Sequence, residues 1–353
     1  MRPKVTHTLI GLLFLSLLSS ACMETPTYAR LDQPGDLFQK KDVTIVVTDS
    51  GLGGLSIVAD AEQRMLAFKN FRSVRLVFFN ALFSEQGGYN SLRSRSEKIR
   101  VFDSALLSME EKYHPDLILI GCNTLSVLHP DTAFSRESRV PVTGIVDAGV
   151  DLIAQGLRQH PESRVLIFGT QTTVAEGTYR RELLHKGFLT ERIIQQACPD
   201  LVPYIERGYD SDETEMLISA YAAEAIKNLP DPSETVLVSL NCTHYGYSLD
   251  LWRSAFLGQG IQPAAFLNPN RRMLDFLFIP ETQDRYQDTR VSVEVVSMVE
   301  IGKVRQKSIG SRLRNTSPQT TAALAGYQWD PALFEWESYV KRDWSGARHP
   351  PRQ

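Results

Sequence analysis

The chain has 353 residues, of which 42% are hydrophobic and 22% are charged, and its net charge is −3. This is the composition of a globular protein long enough for two domains, and it offers no basic field that would attract nucleic acid. Four cysteines are too few for a disulfide-held scaffold, and no CxxC, HExxH or closely spaced histidine pair predicts a metal site, so neither a bound metal nor a nucleic-acid partner is expected.

The first residues are typical of an export signal. A basic start precedes Leu9–Leu18, an apolar run too short to anchor a chain across a bilayer. Small residues and then Cys22 follow, a pattern similar to a bacterial lipoprotein signal in which the cysteine is lipidated. We therefore expect a signal peptide over 1–22, lipidation at Cys22, and a membrane-anchored protein on the periplasmic or outer cell-surface side. A plain secretory signal, cut after Ala21 or Ala29, is the alternative.

After a tether over 23–42, strand-like and helix-like segments alternate. Short apolar runs predict strands over 43–50, 74–79, 117–121, 140–146, 164–170 and 235–240. Helical patterns lie over 55–68 and near 91–113, 147–160, 173–186 and 212–228. Because the strands are apolar on both faces, we expect an α/β fold of parallel sheets. The right-handed crossover rule then favours doubly wound sheets.

Three polar clusters follow predicted strands. They are Asp49-Ser50, Cys122-Asn123-Thr124 and Cys242-Thr243-His244. Ligands of such sheets bind at the carboxyl edge, where the N–H groups of helix starts favour anions such as a carboxylate or a thiolate. We therefore interpret both cysteines as reactive thiols of low pKa, although a small buried residue is the alternative for each one alone. Cys198 lacks such neighbours and is interpreted as structural.

The glycine-rich stretch GLGGLS follows the first predicted strand. It is not a GxGxxG motif, because Ser56 stands at the last glycine position. No GxxxxGK[ST] motif is present either, so a dinucleotide or phosphate site is not predicted. We expect these glycines to let the backbone approach a small ligand closely.

Five motifs, taken in order, resemble the signatures of glutamate racemase, within the aspartate/glutamate racemase superfamily. They are TDSGLGGLSIV, GCNTLS, GTQTTVAEGTYRREL, ACPDLVPYIERG and NCTHYGYS. The resemblance covers about 43–280, and the two cysteine motifs are its most specific part. It implies two doubly wound parallel-sheet domains that face each other across an active-site cleft, and racemisation of an amino-acid substrate without any cofactor.

Racemisation removes the α-proton on one face and returns a proton on the other, so two acid/base groups should flank the carbon. By resemblance, Cys122 acts on the D-enantiomer with assistance from Asp49, and Cys242 acts on the L-enantiomer with assistance from His244. Glu206 matches an acidic residue near the second thiol, and a solvated surface carboxylate is its alternative. The carbanion needs donors around its carboxylate. The candidates for substrate binding are Ser50, Asn123, Thr124, Thr243 and Tyr89.

The two thiols must face each other, so we expect each to belong to a different domain. This predicts a first domain made of two segments, 43–145 plus 262–300, and a second domain over 146–261. A C-terminal extension over 301–353 would follow. Its basic stretch 303–314 is interpreted as a solvated connector. After that stretch, Ser317-Pro318 is expected to open a helix.

Two departures from the family pattern leave the substrate open. Asn80 stands where the family has an aspartate, and Gly88-Tyr89-Asn90 replaces Pro-Tyr-Gly. Glutamate is the expected substrate, and aspartate or a broader set of amino acids is the alternative. A binding lipoprotein that captures an acidic amino acid or a wall fragment is the competing function. The presence of both cysteines favours the enzyme, and a homodimer is one of the assembly states left open.

Overall fold

The computed structural model of this protein describes residues 35–84, 88–231 and 233–340. The predicted signal peptide over 1–22, with Cys22, lies outside them, as does most of the predicted tether. Within the described ranges the chain forms ten strands and fifteen α-helices. None of the helices in these ranges is long and apolar enough to cross a membrane.

The strands follow one another through the chain as short segments. They are β1 (Asp42–Asp49), β2 (Ser73–Asn80), β3 (Leu117–Ile120), β4 (Val142–Gly144), β5 (Arg164–Gly169), β6 (Ile193–Ala197), β7 (Val236–Asn241), β8 (Ala265–Leu267), β9 (Arg290–Ser297) and β10 (Gln328–Trp329). The helices are α1 (Gly35–Gln39), α2 (Leu55–Phe68), α3 (Gly88–Ser91), α4 (Arg95–Tyr113), α5 (Asn123–Ser126), α6 (Phe134–Glu137), α7 (Ile145–Gln159), α8 (Gln171–Glu176), α9 (Thr178–His185), α10 (Leu201–Arg207), α11 (Asp212–Lys227), α12 (Leu249–Gly258), α13 (Pro269–Arg272), α14 (Lys303–Leu313) and α15 (Pro318–Ala325).

The described strands form two separate sheets, and every pairing between them is parallel. The first sheet has the order β10-β9-β2-β1-β3-β4 and the second the order β6-β5-β7-β8. The protein is therefore built from two α/β domains, which confirms the fold class predicted from the sequence. In each sheet the winding reverses beside one strand: β1 lies between β2 and β3, and β5 lies between β6 and β7. Such a reversal point is where ligands bind in open α/β sheets.

Apolar residues on both faces hold the central strands in place. Ile45 and Val47 pack into one apolar cluster, whereas Val46 points the opposite way and packs into another. The cluster that contains Ile45 also includes Leu166 and Phe168 of β5, so the two sheets share part of one core. This packing explains why the strands read as continuous apolar runs rather than as alternating ones.

Several predicted elements differ from the structure. The helix expected near 173–186 is divided into α8 and α9, because Gly177 adopts a left-handed φ of 63° at the end of α8. The predicted return to the first domain at 262 is too early, since β8 (Ala265–Leu267) pairs with β7 in the second sheet. Beyond it, β9 joins the first sheet, and so does β10 from the predicted extension.

The basic stretch 303–314 is not the solvated connector that we predicted. It forms α14, and Ile309 and Leu313, four residues apart on one face, are buried in the core. Lys303, Lys307 and Arg312 are exposed, whereas Arg305 shares the inner face with the apolar pair, and this i, i+4 pair decides the placement of the helix. The helix expected at Ser317-Pro318 is present, with the Ser317 side chain accepting a hydrogen bond from the backbone N–H of Thr320.

Candidate active site

One cavity of about 530 Å³ lies between the carboxyl ends of the two sheets. Its wall contains nine of the residues that the sequence singled out: Asp49, Ser50, Tyr89, Cys122, Asn123, Thr124, Glu206, Cys242 and His244. Thr243 is buried but does not line the cavity. The topology explains this convergence, because β1 and β3 adjoin the reversal point of the first sheet, and β7 adjoins that of the second.

On the first-sheet side, Cys122 follows β3 and is the N-cap residue of α5. Its Sγ lies 3.1 Å from Ser50 Oγ. The Ser50 backbone N–H donates to Asp49 Oδ1 at 2.7 Å. The Thr243 hydroxyl donates to Asp49 Oδ2 at 2.6 Å. Thr243, which follows β7 of the second sheet, therefore holds the carboxyl of Asp49, which ends β1 of the first sheet.

Burial controls the protonation of the Cys122 side. Burial, and then the charge of the Asp49 carboxylate, raise the pKa of the Cys122 thiol. Burial also raises the pKa of Asp49, against the opposing effects of the His244 charge and of the Thr243 hydrogen bond. The prediction that Cys122 has a low pKa is therefore wrong, because the short helix α5 does not compensate for the lost solvation. Cys122 is thus favoured as a neutral thiol that can donate a proton.

On the second-sheet side, Cys242 follows β7 and faces a buried chain of proton-carrying groups. Cys242 Sγ lies 3.7 Å from His244 Nδ1, and His244 Nε2 lies 2.8 Å from Glu206 Oε1. The same carboxylate oxygen accepts the backbone N–H of Leu52 at 2.7 Å. Glu206 is only 3% exposed, so its alternative interpretation as a solvated surface carboxylate is wrong.

Buried neighbouring groups determine the charges of His244 and Glu206. Burial by itself would lower the pKa of His244, but its hydrogen bonds to Cys242 and Glu206 raise it well above the ordinary value. Burial would raise the pKa of Glu206, but the hydrogen bond and charge of His244 lower it, with help from Leu52 and Arg305. The structure therefore favours an imidazolium at His244 between a carboxylate and the Cys242 sulfur. A proton can pass between this ring and the sulfur.

The glycine-rich turn after β1 fits tightly against the second-sheet groups. A Cβ atom at Gly53 would lie 2.2 Å from Thr243 Oγ1, and one at Gly51 would lie 2.8 Å from Glu206 Oε1. Side chains at these positions would displace the residues that hold Asp49 and His244. The expectation that these glycines admit a ligand is therefore corrected: in the structure they admit Thr243 and Glu206.

Two buried donors in the cavity wall have no hydrogen-bond partner among the described residues. They are the Asn123 Nδ2 amide and the Tyr89 hydroxyl. Asn123 Oδ1 accepts the Tyr179 hydroxyl at 2.5 Å, which orients the amide. Thr124 differs, since its hydroxyl lies 2.7 Å from that of Thr170. A buried donor without a partner is costly, and an anionic group in the cavity would satisfy both.

The cavity wall also contains residues that were not predicted from the sequence as parts of the site. Cys198, interpreted above as structural, lines the cavity, and burial raises the pKa of this thiol. Arg207 follows Glu206 at the end of α10, and Lys303 and Arg305 reach the cavity from α14. The basic stretch 303–314 includes Lys303 and Arg305, but only the packing of α14 places these two side chains at the cavity. Asn80 lies elsewhere, with its amide donating to Ser297 Oγ at 3.0 Å.

The chemistry available in this cavity is proton transfer. Three thiols, an imidazole and three carboxyls line one space, and each can carry a proton at a defined position. In the part of the chain that the structure describes, no group of three or more His, Cys, Asp or Glu side chains is placed to hold a metal ion.

The comparisons with known proteins agree with this geometry. Residues 85–249 match the family model described as Asp/Glu/Hydantoin racemase. The glutamate racemase of Syntrophus aciditrophicus is 32% identical over 202 residues, which cover 57% of this chain and 67% of that protein. Glutamate racemase 3 of Caldanaerobacter subterraneus subsp. tengcongensis is 28% identical over 218 residues, which cover 62% of this chain and 72% of that protein.

A solved structure shares the fold. The crystal structure of glutamate racemase from Francisella tularensis in complex with D-glutamate is similar with a TM-score of 0.57 and a sequence identity of 20%. The similarity covers 77% of this chain and 94% of that chain. At this identity the likeness concerns the arrangement of the two sheets and not the choice of ligand.

Proposed function

We propose that this chain, which belongs to the Asp/Glu/Hydantoin racemase family and is an amino-acid racemase, interconverts L- and D-glutamate. In this proposal, two thiols carry out the proton transfers. One observation carries the proposal. Cys122 and Cys242 end strands of different sheets, and both sulfurs border the same cavity. A substrate between them would present opposite faces of its α-carbon to the two thiols.

The proposed reaction moves two protons and needs no cofactor. With the L-enantiomer, the Cys242 thiolate takes the α-proton, so that the Cα–H bond breaks and an S–H bond forms. The carbanion then takes the proton of the Cys122 thiol on its other face, which leaves a Cys122 thiolate. The D-enantiomer reacts in the reverse direction. The neutral thiol at Cys122 and the charged His244 beside Cys242 support this division of roles.

The carbanion requires donors around the α-carboxylate. We assign this role to the unpartnered Asn123 amide and Tyr89 hydroxyl, together with the hydroxyls of Ser50 and Thr124. These groups are fixed by the fold before substrate arrives, so they stabilise the developing charge without a reorganisation cost. Thr243 instead positions Asp49, in contrast to the direct substrate contact that we expected from the sequence.

Positive charge in the cavity wall supports an acidic substrate. Arg207 and Lys303 line the cavity at its α10 and α14 side. A second carboxylate on the substrate would lie in their field, whereas a neutral side chain would gain nothing from it. The relatives named glutamate racemases favour glutamate as the first substrate to test.

We also propose that the protein is exported and anchored by a lipid at Cys22. The basic start, the Leu9–Leu18 run and the small residues before Cys22 support this proposal. An exported racemase would act on external or recycled amino acids.

A proton-exchange assay tests the proposed function. The protein is incubated in deuterated water with L- and D-glutamate, both enantiomers of aspartate, and a set of neutral amino acids. Deuterium at Cα is followed by NMR and the product by chiral chromatography. We expect exchange and inversion with glutamate, and loss of full racemisation in Cys122→Ala and in Cys242→Ala.

Cys198→Ala is the matched control, because it removes a third buried thiol from the same wall. It should keep most of the activity. Near-normal turnover of both enantiomers by either of the other two alanine variants would contradict the two-thiol reaction. Faster turnover of aspartate than of glutamate would overturn the choice of substrate.

A further inference from the structure

Glu206 makes one more contact, with a residue far along the chain. Arg305 Nη1 lies 3.6 Å from Glu206 Oε2, the carboxylate oxygen that does not face His244. The Arg305 side chain is 19% exposed, and its Nη2 donates to the Glu300 carbonyl oxygen. Arg305 belongs to α14, which lies outside the 85–249 family match.

We propose that Arg305 is a positioning residue for the Glu206–His244 pair, so that the C-terminal segment tunes proton transfer at Cys242. The proposal rests on the proposed two-thiol racemisation. It adds a residue from beyond the family match to the machinery on the Cys242 side.

The two oxygens of Glu206 have separate partners. Oε1 accepts hydrogen bonds from the Leu52 backbone and faces His244 Nε2, while Oε2 faces Arg305. A buried carboxylate needs both oxygens compensated, because an unpaired buried charge is costly. Arg305 compensates the second oxygen and opposes rotation of the carboxylate. Oε1 then stays on His244 Nε2, which keeps the Nδ1 atom of the ring directed at Cys242.

The helix that carries Arg305 is held firmly against the rest of the protein. Ile309 and Leu313 of α14 are buried in the core. The segment before the helix is fixed by the Tyr327 hydroxyl, which accepts the Ile301 backbone N–H at 2.9 Å, and by Gln306, which donates to the Ile301 carbonyl. Arg305 therefore reaches Glu206 from a packed scaffold rather than from a loose surface segment.

The charges around Glu206 show what removal of Arg305 would do. His244 and Arg305 are the cations in contact with the carboxylate. The charges of Glu206 and Asp49 both act on the Tyr247 phenol, and Asp200, Arg207 and Lys303 stand in the same cavity wall as Glu206. Loss of Arg305 would take this cation away from Glu206 Oε2, so the carboxylate could rotate away from His244 Nε2. The Nδ1 atom of the ring would then no longer be held toward the Cys242 sulfur.

The test compares Arg305→Met and Arg305→Lys with Lys307→Met. Lys307 is an exposed cation on the same helix, so its variant matches the loss of charge away from Glu206. Arg305→Met should lower kcat about tenfold, which is part of the roughly 10²–10⁴-fold that an acid/base group contributes. Arg305→Lys should recover part of the loss, and Lys307→Met should match the wild type.

Isotope effects separate positioning from a general loss of structure. Arg305→Met should increase the primary isotope effect with α-deuterated L-glutamate, because proton removal by Cys242 becomes more rate-limiting. It should decrease the effect with α-deuterated D-glutamate. Equal changes for both enantiomers, or values equal to those of Lys307→Met, would overturn the proposal.

A second measurement needs no turnover. The rate of alkylation of Cys242 by iodoacetamide at one fixed pH, followed by mass spectrometry of its peptide, should be lower in Arg305→Met than in the wild type and close to the wild-type rate in Arg305→Lys, because His244 would no longer be held against the sulfur in Arg305→Met. An unchanged alkylation rate in Arg305→Met would overturn the proposal even if the wild type racemised nothing. Absence of racemisation by the wild type would instead count against the proposed function alone.

Discussion

Replacing Glu206 by glutamine should destabilise the protein strongly. The side chain is 3% exposed, and its carboxylate lies between His244 at 2.8 Å and Arg305 at 3.6 Å. Glutamine keeps the shape and can still accept the Leu52 N–H, but it removes the negative charge between His244 and Arg305. Breaking a buried ion pair costs about 3–5 kcal/mol. We expect the free energy of unfolding to fall by about 3 kcal/mol, near the lower limit, because one hydrogen bond is kept.

Glu294→Gln is the matched control for this change. Glu294 binds Arg75 through both oxygens at 2.7 and 2.8 Å, but these side chains are 31% and 41% exposed. Solvent screens such a pair, so its loss should cost about 0–1 kcal/mol. Urea denaturation at pH 7 measures both variants. The reasoning fails if Glu206→Gln loses no more stability than Glu294→Gln.

The pH dependence of this difference has a definite sign. The pKa of Glu206 lies below its unfolded value of 4.5. Its carboxylate therefore contributes stability that is present above pH 4.5 and is lost as the pH falls through the folded pKa. The pKa of His244 is raised above 6.5, so its contribution is full below pH 6.5 and is lost as the pH rises through the folded value. The stability difference between wild type and Glu206→Gln should be largest in the window between these two transitions and shrink in acid.

The same variant should lower the pKa of His244, because a neutral amide replaces the carboxylate whose hydrogen bond and charge raise it. NMR titration of the His244 ring measures this shift. An unchanged titration would mean that the Glu206 charge does not hold the imidazolium.

Three further changes test other parts of the molecule. Gly53→Ala should reduce kcat at least tenfold, because its Cβ would lie 2.2 Å from Thr243 Oγ1. Gly258→Ala is the control and should leave kcat unchanged, since nothing lies within 4 Å of the new atom. Equal activities of the two variants would contradict the tight turn. Tyr89→Phe should raise the KM for glutamate severalfold without lowering thermal stability, since the hydroxyl has no partner among the described residues; a lower melting temperature with unchanged KM would refute its role. Cys22→Ser should yield a protein without lipid that stays in the aqueous phase of a detergent partition, and a wild-type protein found there as well would defeat the anchor.

The sequence by itself determined the fold class and the position of both thiols. Continuous apolar runs are required of strands buried on both faces, so the segments around Val46 and Val238 could be recognised without a structure. Because parallel strands end at one edge of a sheet, Cys122 and Cys242 could be placed at the carboxyl edges where ligands bind. These inferences depend on the local pattern of apolar and polar residues, which can be recognised in one sequence alone.

Only the tertiary structure decided which groups set the protonation of those thiols. The pKa of Cys122 depends on how completely the fold excludes water around it, and helix-start position alone predicted the wrong direction. The sequence left open whether Glu206 lies at the surface. In the structure the turn after β1 covers it, and the Leu52 backbone N–H of that turn donates to its carboxylate. Arg305 is nearly a hundred residues from Glu206 in sequence, and no motif in the sequence indicates that the two residues are in contact. Such contacts arise from the packing of whole helices, because desolvation and charge pairing depend on distances in space rather than along the chain.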